Sequence, residues 1–217
     1  MKYVFLALFI LFSLVHLYGS YLNNQKIRNI TKGGILLFLL GYYVCAAPSV
    51  SWIVILALVF SLLGDVALMI NGGFAVGGIS FMISHVFFIL AYLPNVSLAA
   101  APWYALVPLV LVYGAAVFFV FRELKDHIPH KLYYPMLLYL VVNGAMNVFA
   151  FMQLLSVPCL ASALVFIGAA LFFFSDSTLF IVRFHKTKMV WRRHFLVMLS
   201  YILAEFLIVQ GLIMLAA

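Results

Sequence analysis

The sequence predicts an all-α, polytopic membrane bundle of eight transmembrane helices. Hydrophobic residues make up 68% of the chain and charged residues only 8%, and the mean hydropathy is +1.25. This composition lies outside the range of soluble globular proteins. Because a spanning helix takes about 20 residues, the 217 residues leave room for seven or eight helices and no soluble domain. We therefore expect a single transmembrane domain over residues 1–217.

Hydropathy divides the first half of the chain into four apolar segments. They lie at residues 3–22, 32–47, 51–70 and 77–94. The polar stretch "NNQKIRN" separates the first two, "APSVS" is a turn, and "NGG" is a glycine-rich turn. The first segment resembles a signal peptide, but its stronger basic flank follows it, whereas a cleaved signal begins with its basic end. We expect it to be the first spanning helix.

The second half contains four further segments, at residues 103–121, 134–155, 158–182 and 194–215. The stretch "LPNVSLAAAP" precedes them, and "SVP" is a tight turn between the sixth and seventh helices. The connections "RELKDHIPHK" and "RFHKTKMVWRRH" are charged. No linker suggests a second domain.

The basic residues alternate between connections, which tests the helix count. Eleven of the twelve fall in odd-numbered connections along the chain, namely the first, fifth and seventh: Lys26, Arg28, Lys32, Arg122, Lys125, Lys131, Arg183, Lys186, Lys188, Arg192 and Arg193. Only Lys2 lies on the other side. Since Lys and Arg accumulate on the cytoplasmic side, we expect both termini on the non-cytoplasmic side.

The net charge of +7 is then the ordinary cytoplasmic excess and requires no nucleic-acid partner. The expected surroundings are the lipid bilayer, whose anionic headgroups a basic rim would attract. We expect an integral multi-pass protein of the cell membrane, the inner membrane if the chain is bacterial. Cys45 and Cys159 fall near the non-cytoplasmic face, where they either pair in an oxidising compartment or remain two apolar thiols.

Three of the five acidic residues lie within predicted helices: Asp65, Asp176 and Glu205. A carboxylate in the hydrocarbon region costs at least ~2.5–3.5 kcal/mol, so such residues usually face the bundle interior and serve a function. Asp65 and Asp176 fall at matching depth, about 8–9 Å before the cytoplasmic ends of parallel helices. Glu205 lies deeper, near the middle of the last helix.

Other polar and small residues accompany these acids. His85, Asn143 and Ser175 are candidate supporting residues, and Gly64 and Gly168 permit close approach of helices. A purely structural reading is that each aspartate bonds to neighbouring hydroxyl, tyrosine or tryptophan donors and holds helices in register. The acids and the histidine are spread over four helices without a short ligand motif, so we expect no metal site.

Four segments in order resemble the motifs of the lysoplasmalogenase family of membrane proteins, the YhhN-like family: "SLLGDVALM", "SHVFFILAY", "GAALFFFSDSTL" and "SYILAEFLIVQGL". The resemblance implies a cofactor-independent hydrolase that cleaves the vinyl ether bond of lysoplasmalogens into a fatty aldehyde and a glycerophospho-headgroup compound. The two motif aspartates of the family match Asp65 and Asp176. The last motif departs from the family pattern, since Glu205 follows Ala204 where glutamine is usual.

Vinyl ether hydrolysis needs an acid to protonate the β-carbon and an anion to stabilise the oxocarbenium ion and activate water. Two carboxyl groups brought together at low dielectric do not readily both ionise, so one is held protonated. Glycosidase carboxylate pairs divide the work similarly. We favour Asp176 as the anion, because the adjacent hydroxyls of Ser175 and Ser177 are potential donors. Candidate contacts to the lysophospholipid phosphate are Lys32, Lys131, Arg183 and Arg192.

Two other functional classes fit the same residues. A small proton-coupled transporter also uses buried Asp, His and Glu across several helices, although "LLGDVALM" and "FFSDSTLF" share little beyond the acid and a leucine. A noncatalytic lipid-binding bundle would not require the acids.

Overall fold

The computed structural model describes residues 1–97, 102–185, 192 and 194–216. Within these residues it contains eight long α-helices and one short 3-10 turn at Leu93–Asn95. The helices are α1 (Lys2–Tyr21), α2 (Gln25–Ala46), α3 (Trp52–Met69), α4 (Phe74–Tyr92), α5 (Trp103–Leu124), α6 (His130–Ser156), α7 (Leu160–Phe184) and α8 (His194–Leu215). All eight are long and apolar enough to cross a membrane. The predicted all-α, eight-helix membrane architecture is therefore confirmed for the described chain.

Helix α2 begins seven residues before its predicted start at residue 32. The cause is Asn24, whose side-chain oxygen accepts hydrogen bonds from the backbone N–H groups of Lys26 (3.0 Å) and Ile27 (3.3 Å) and so caps the helix. Hydropathy misses this start because the first two turns are polar. The basic residues assigned to the first connection, Lys32 among them, therefore lie on α2 itself.

Three more helices extend into the segments predicted as charged connections. Arg122 lies in the last turn of α5, Arg183 in the last turn of α7, and Lys131 in the first turn of α6. A cation near a helix C-terminus is favoured by the helix dipole, which suits the first two positions. Lys186, Lys188 and Arg193 lie outside the described residues.

Seven of the helices in the described chain form a closed ring. Contacts run in the order α1, α2, α3, α4, α6, α7, α8 and back to α1, while α5 packs outside the ring against α6 and α7. Each ring helix can present polar residues to a shared interior that lipid does not reach. This arrangement brings side chains from α2, α3, α4, α6, α7 and α8 together.

Small residues set the closest helix contacts, as predicted. A Cβ atom on Gly168 of α7 would lie 2.8 Å from the carbonyl oxygen of Ala204, and one on Gly211 of α8 would lie 2.5 Å from that of Ala161. A Cβ on Gly64 would meet the Phe81 ring at 2.7 Å. The α3–α4 pair thus approaches closely beside Asp65, and the α7–α8 pair approaches closely beside Glu205 and again near Ala161.

The two cysteines are free, so the possible disulfide is not formed. Cys45 is half-buried near the end of α2, and Cys159 is exposed at the N-terminus of α7. The Cys159 sulfur lies 3.5 Å from the Ser162 hydroxyl, and this hydrogen bond lowers the pKa of the thiol. The thiolate fraction at a given pH therefore rises, and with it the reactivity.

Cys159 offers a direct test of the predicted orientation. We expect a membrane-impermeant maleimide to label intact cells or right-side-out vesicles at Cys159, because that residue lies at the end of the bundle opposite the basic connections. Mass spectrometry of the labelled peptide measures the result, and Cys159→Ser is the control. Labelling of Cys159 only after the membranes are permeabilised would show the opposite orientation.

Candidate active site

A cavity of about 300 Å³ lies inside the ring near its basic end, and both predicted aspartates line it. Asp65 comes from α3 and Asp176 from α7. Lys32, Ser175 and Tyr201 also line the cavity, and its remaining walls are largely apolar. The bundle therefore brings the two carboxyl groups to one small space.

Asp65 forms an ion pair inside the bundle. Its Oδ1 lies 3.1 Å from Nζ of Lys32, and its Oδ2 accepts a hydrogen bond of 3.0 Å from the Tyr201 hydroxyl. The side chains of Lys32 and Asp65 are 15% and 2% exposed. Lys32, which the sequence suggested as a phosphate contact, is instead the counterion of this carboxylate. Because α2 starts early, Lys32 lies about two turns into the helix rather than in a connection.

Asp176 has a different set of partners. The Tyr139 hydroxyl and the Asn143 side-chain amide both donate to its Oδ2, the latter over 2.8 Å. Nε2 of His85 lies 3.6 Å from the same oxygen, with the imidazole packed against the Phe172 ring. No Lys or Arg pairs with Asp176 among the described residues. The two aspartates thus share a cavity but differ in charge environment.

Asn143 is itself held in place. The Asn147 amide donates to the Asn143 backbone carbonyl over 2.9 Å and accepts from the Tyr113 hydroxyl over 2.7 Å. This series of hydrogen bonds runs from α5 through α6 to Asp176 on α7. The Asn147 amide nitrogen also lies 3.4 Å from Oδ1 of Asn143, and this contact orients the side-chain amide that donates to Asp176.

The hydroxyls next to Asp176 do not donate to it. Ser175 donates to the Val197 carbonyl over 2.9 Å, tying α7 to α8, and the Ser177 hydroxyl is buried with no partner in the described structure. Consecutive residues in a helix are about 100° apart around its axis, so neighbours in sequence point elsewhere. The reason for favouring Asp176 as the anion is therefore wrong, and the ion pair with Lys32 makes Asp65 the better anion.

The two aspartates line the same cavity, but, contrary to the prediction from the sequence, they do not lie the same number of residues before the ends of their helices. Asp65 lies four residues before the end of α3, whereas Asp176 lies eight before the end of α7. Helix α7 runs two residues beyond its predicted end, and α3 stops one residue short of its own. Helix ends read from hydropathy therefore give only an approximate depth.

Glu205 is fully buried on α8, deeper than the cavity lining. Ser61 lies beside its carboxyl group, yet neither oxygen makes a hydrogen bond of normal geometry within the described part of the chain. The Ser61 hydroxyl instead pairs with Ser84 at 2.8 Å. Burial of an unpaired carboxylate costs several kcal/mol, so we expect Glu205 to be present as the neutral acid.

Glu205→Gln is therefore expected to be tolerated. Glutamine has the same shape as the neutral acid. Thermal stability in detergent should not fall, and the activity proposed below should stay within about twofold of the wild type. A loss of activity of tenfold or more, with the variant still folded, would show that a titrating carboxyl group is needed there.

Sequence reasoning missed two donors, Tyr139 and Tyr201. Each lies four residues before a residue that the sequence did single out, Asn143 on α6 and Glu205 on α8. Residues four apart share a helix face, so this spacing was an available signal. It was missed because tyrosines in a membrane protein are usually assigned to the interfaces.

A second, more polar cavity of about 310 Å³ adjoins the first; we call it the vestibule. It is lined by polar and basic side chains from α1, α2, α7 and α8 and from the turn between α3 and α4, including Gln25, Arg28, Asn29, Asn71 and Arg183. Lys32 and Arg183 line both cavities. The vestibule thus provides a cationic surface next to the cavity that the aspartates line.

The other two predicted phosphate contacts lie elsewhere. Arg192 is exposed and stacks on the Tyr21 ring, 4.2 Å from its centroid, with a hydrogen bond to the Tyr21 hydroxyl. Lys131 lies at a groove between α4 and α6. Of the four candidates, only Lys32 and Arg183 reach the site. Among the described residues, no three His, Cys, Asp or Glu side chains are grouped closely enough to hold a metal ion.

Comparison with known proteins gives one match. The sequence model of the YhhN family matches residues 27–212, which covers α3 to α7 entirely and nearly all of α2 and α8. No curated protein and no solved structure is significantly similar to the chain. The matched region includes every residue that lines the 300 Å³ cavity.

Proposed function

The chain belongs to the YhhN family, and from this membership and the geometry of the cavity we propose that it is a hydrolase of vinyl ether lysophospholipids. The substrates would be lysoplasmenyl-ethanolamine or lysoplasmenyl-choline. The products would be a fatty aldehyde and glycerophosphoethanolamine or glycerophosphocholine. The reaction takes place at Asp65 and Asp176 without a cofactor.

One observation carries the proposal: of the two buried carboxyl groups that line one cavity, one is paired with a cation and the other has only neutral hydrogen-bond donors. Asp65 is paired with Lys32, and this cation favours its anionic form. Asp176 has hydrogen-bond donors but no cation beside it in the described chain, and burial there favours its neutral form. A neutral acid beside a fixed anion is the requirement of vinyl ether hydrolysis, as in glycoside hydrolysis.

The first step is proton transfer from Asp176 to the β-carbon of the vinyl ether. Tyr139 and Asn143 occupy Oδ2, so the acidic proton is carried by Oδ1. Transfer converts the C=C bond into a C–H bond and leaves an oxocarbenium ion. The new Asp176 carboxylate is stabilised by its two donors and in turn stabilises the cation.

Water then attacks the oxocarbenium carbon and gives its proton to Asp65. The resulting hemiacetal collapses when Asp65 returns that proton to the glycerol oxygen and Asp176 takes the hemiacetal hydroxyl proton. The C–O bond breaks, and both aspartates regain their initial states. The supporting role of His85 is to limit the approach of other groups to Asp176, since its ring closes that side of the carboxyl group.

The vestibule suits the headgroup. Arg28 and Arg183 line it next to the cavity, and a phosphodiester held there would leave its glycerol ether oxygen a few bonds away, close to the aspartates. A phosphate contact at this position provides positioning and leaves the chemistry to the carboxyl groups.

The test is aldehyde release by purified protein in detergent or liposomes. We expect release from lysoplasmenyl-ethanolamine or lysoplasmenyl-choline and none from the matched acyl or alkyl-ether lysolipids, which cannot form the same cation by carbon protonation. No release from any vinyl ether lipid by folded protein would overturn the proposal. Solute flux through liposomes in that case would favour the transporter.

A further inference from the structure

An apolar groove of about 940 Å³ opens on the outer side of the ring between α4 and α6; we call it the lateral groove. Its lining comes from α4, α6 and Phe180 of α7, and Lys131 lies at its basic end. It exists partly because α4 presents Ala75 and Gly78 there, and a Cβ on Gly78 would meet no atom within 4 Å.

The lateral groove and the 300 Å³ cavity that holds the aspartates are separated by a thin wall of aromatic side chains. Phe74 lines both spaces. Phe180 lies 6.1 Å from the Phe74 ring and 5.1 Å from the Tyr139 ring, measured between centroids. Tyr139 lines the groove while its hydroxyl bonds to Asp176. One side chain therefore contacts both the groove and a reacting carboxyl group.

The three spaces follow one another in the order of the substrate's parts. The vestibule is polar and basic, the cavity holds the aspartates, and the groove is apolar. A lysoplasmalogen has a phosphate, then a glycerol vinyl ether, then a hydrocarbon chain. With the phosphate in the vestibule and the ether at Asp176, the chain must continue away from the vestibule, and the groove lies behind the aspartate's own hydrogen-bond donor.

We propose that the lateral groove binds the alkenyl chain of the substrate, which crosses the aromatic wall where Phe180 packs between Phe74 and Tyr139 and so places its vinyl ether in the cavity. This inference rests on the proposed function, because it concerns the substrate of that site. The groove volume is at the upper end of the range for small-molecule sites, which suits one lipid chain. The substrate then enters the site laterally from the bilayer through the groove, without its hydrocarbon chain crossing water.

Gly78→Phe fills the groove with little strain, because the position has free space around it. We expect kcat/KM for a vinyl ether lysolipid with a long chain of 16 or 18 carbons to fall by about tenfold or more. A substrate with a chain of six to eight carbons should change by less than about twofold. Gly114→Phe is the matched control, since Gly114 is exposed on α5 and also has no atom within 4 Å of a Cβ. Equal losses for both chain lengths would overturn the groove assignment.

A measurement independent of turnover separates this inference from the proposed function. An alkyl-ether lysolipid with a photoreactive diazirine in its chain should label residues 75–82 and 132–139, and excess unlabelled lysolipid should compete. Gly78→Phe should lose this labelling. Uncompeted labelling spread over all lipid-facing helices would mean that only bulk lipid fills the groove and would overturn the inference. Competed labelling by a protein that cleaves no vinyl ether would support the groove and refute the hydrolase.

Discussion

Asp176→Asn is expected to lower the rate of vinyl ether cleavage by about a thousandfold, because a positioned general acid contributes about 10² to 10⁴ in rate. Asparagine keeps the shape and still accepts hydrogen bonds from Tyr139 and Asn143, but it cannot supply the proton. Stability should change little, since Asp176 is neutral in the resting protein under the proposed mechanism. Aldehyde release at saturating lysoplasmenyl-choline measures the effect.

Two variants serve as controls for that result. Asp126→Asn removes an exposed acid in the connection between α5 and α6 and should leave the rate unchanged. Tyr139→Phe removes one donor to Asp176 and should cost about tenfold, because only the stabilisation of the new carboxylate is weakened. A rate for Asp176→Asn within tenfold of the wild type, with the fold intact, would contradict the acid role and leave Asp176 as a structural hydrogen-bond acceptor.

Lys32→Met is expected to impair both stability and activity. Removing one partner of a buried ion pair leaves an uncompensated charge and costs about 3 kcal/mol. The remaining Asp65 then takes up a proton, so the anion needed to activate water is lost and cleavage should fall by about a hundredfold. Unfolding of the detergent-solubilised protein on heating measures the first effect, and aldehyde release measures the second.

A double variant separates the two consequences. Lys32→Met with Asp65→Asn replaces the ion pair by neutral groups, so most of the lost stability should return while activity stays low. Lys26→Met, an exposed lysine on the same helix, is the matched control and should affect neither. If the double variant cleaved the substrate like the wild type, Asp65 would have no part in the reaction. If Lys32→Met were fully stable, the ion pair would not matter to the fold.

The helix count was predictable because lipid imposes a simple rule on the chain. Every spanning segment must be long and apolar, and a closed backbone hydrogen-bond pattern is required throughout. The acids could also be located, since a carboxyl group in such a segment stands out and is seldom lipid-facing. Thus Asp65, Asp176 and Glu205 were recognised without any structure, and all three are buried in the bundle.

The side chains that contact each aspartate were not predictable in the same way. Lys32 resembled a loop cation because hydropathy places the start of α2 too late, and the cap at Asn24 that moves this start is a single side chain. Ser175 resembled a donor to Asp176 because it is adjacent in sequence, although adjacent helix residues face different neighbours. The roles of the two aspartates depended on both points, and so the proposed roles are the reverse of those expected from the sequence.

By itself, the sequence determined that this is a membrane bundle of eight apolar helices with three buried acids, because hydropathy and charge act on each segment separately. Only the tertiary structure decided which aspartate has a cation and which has neutral donors. Those contacts join α2 to α3 and α6 to α7. Each depends on the rotation of one helix relative to another, which the packing of the whole bundle establishes and no local pattern encodes.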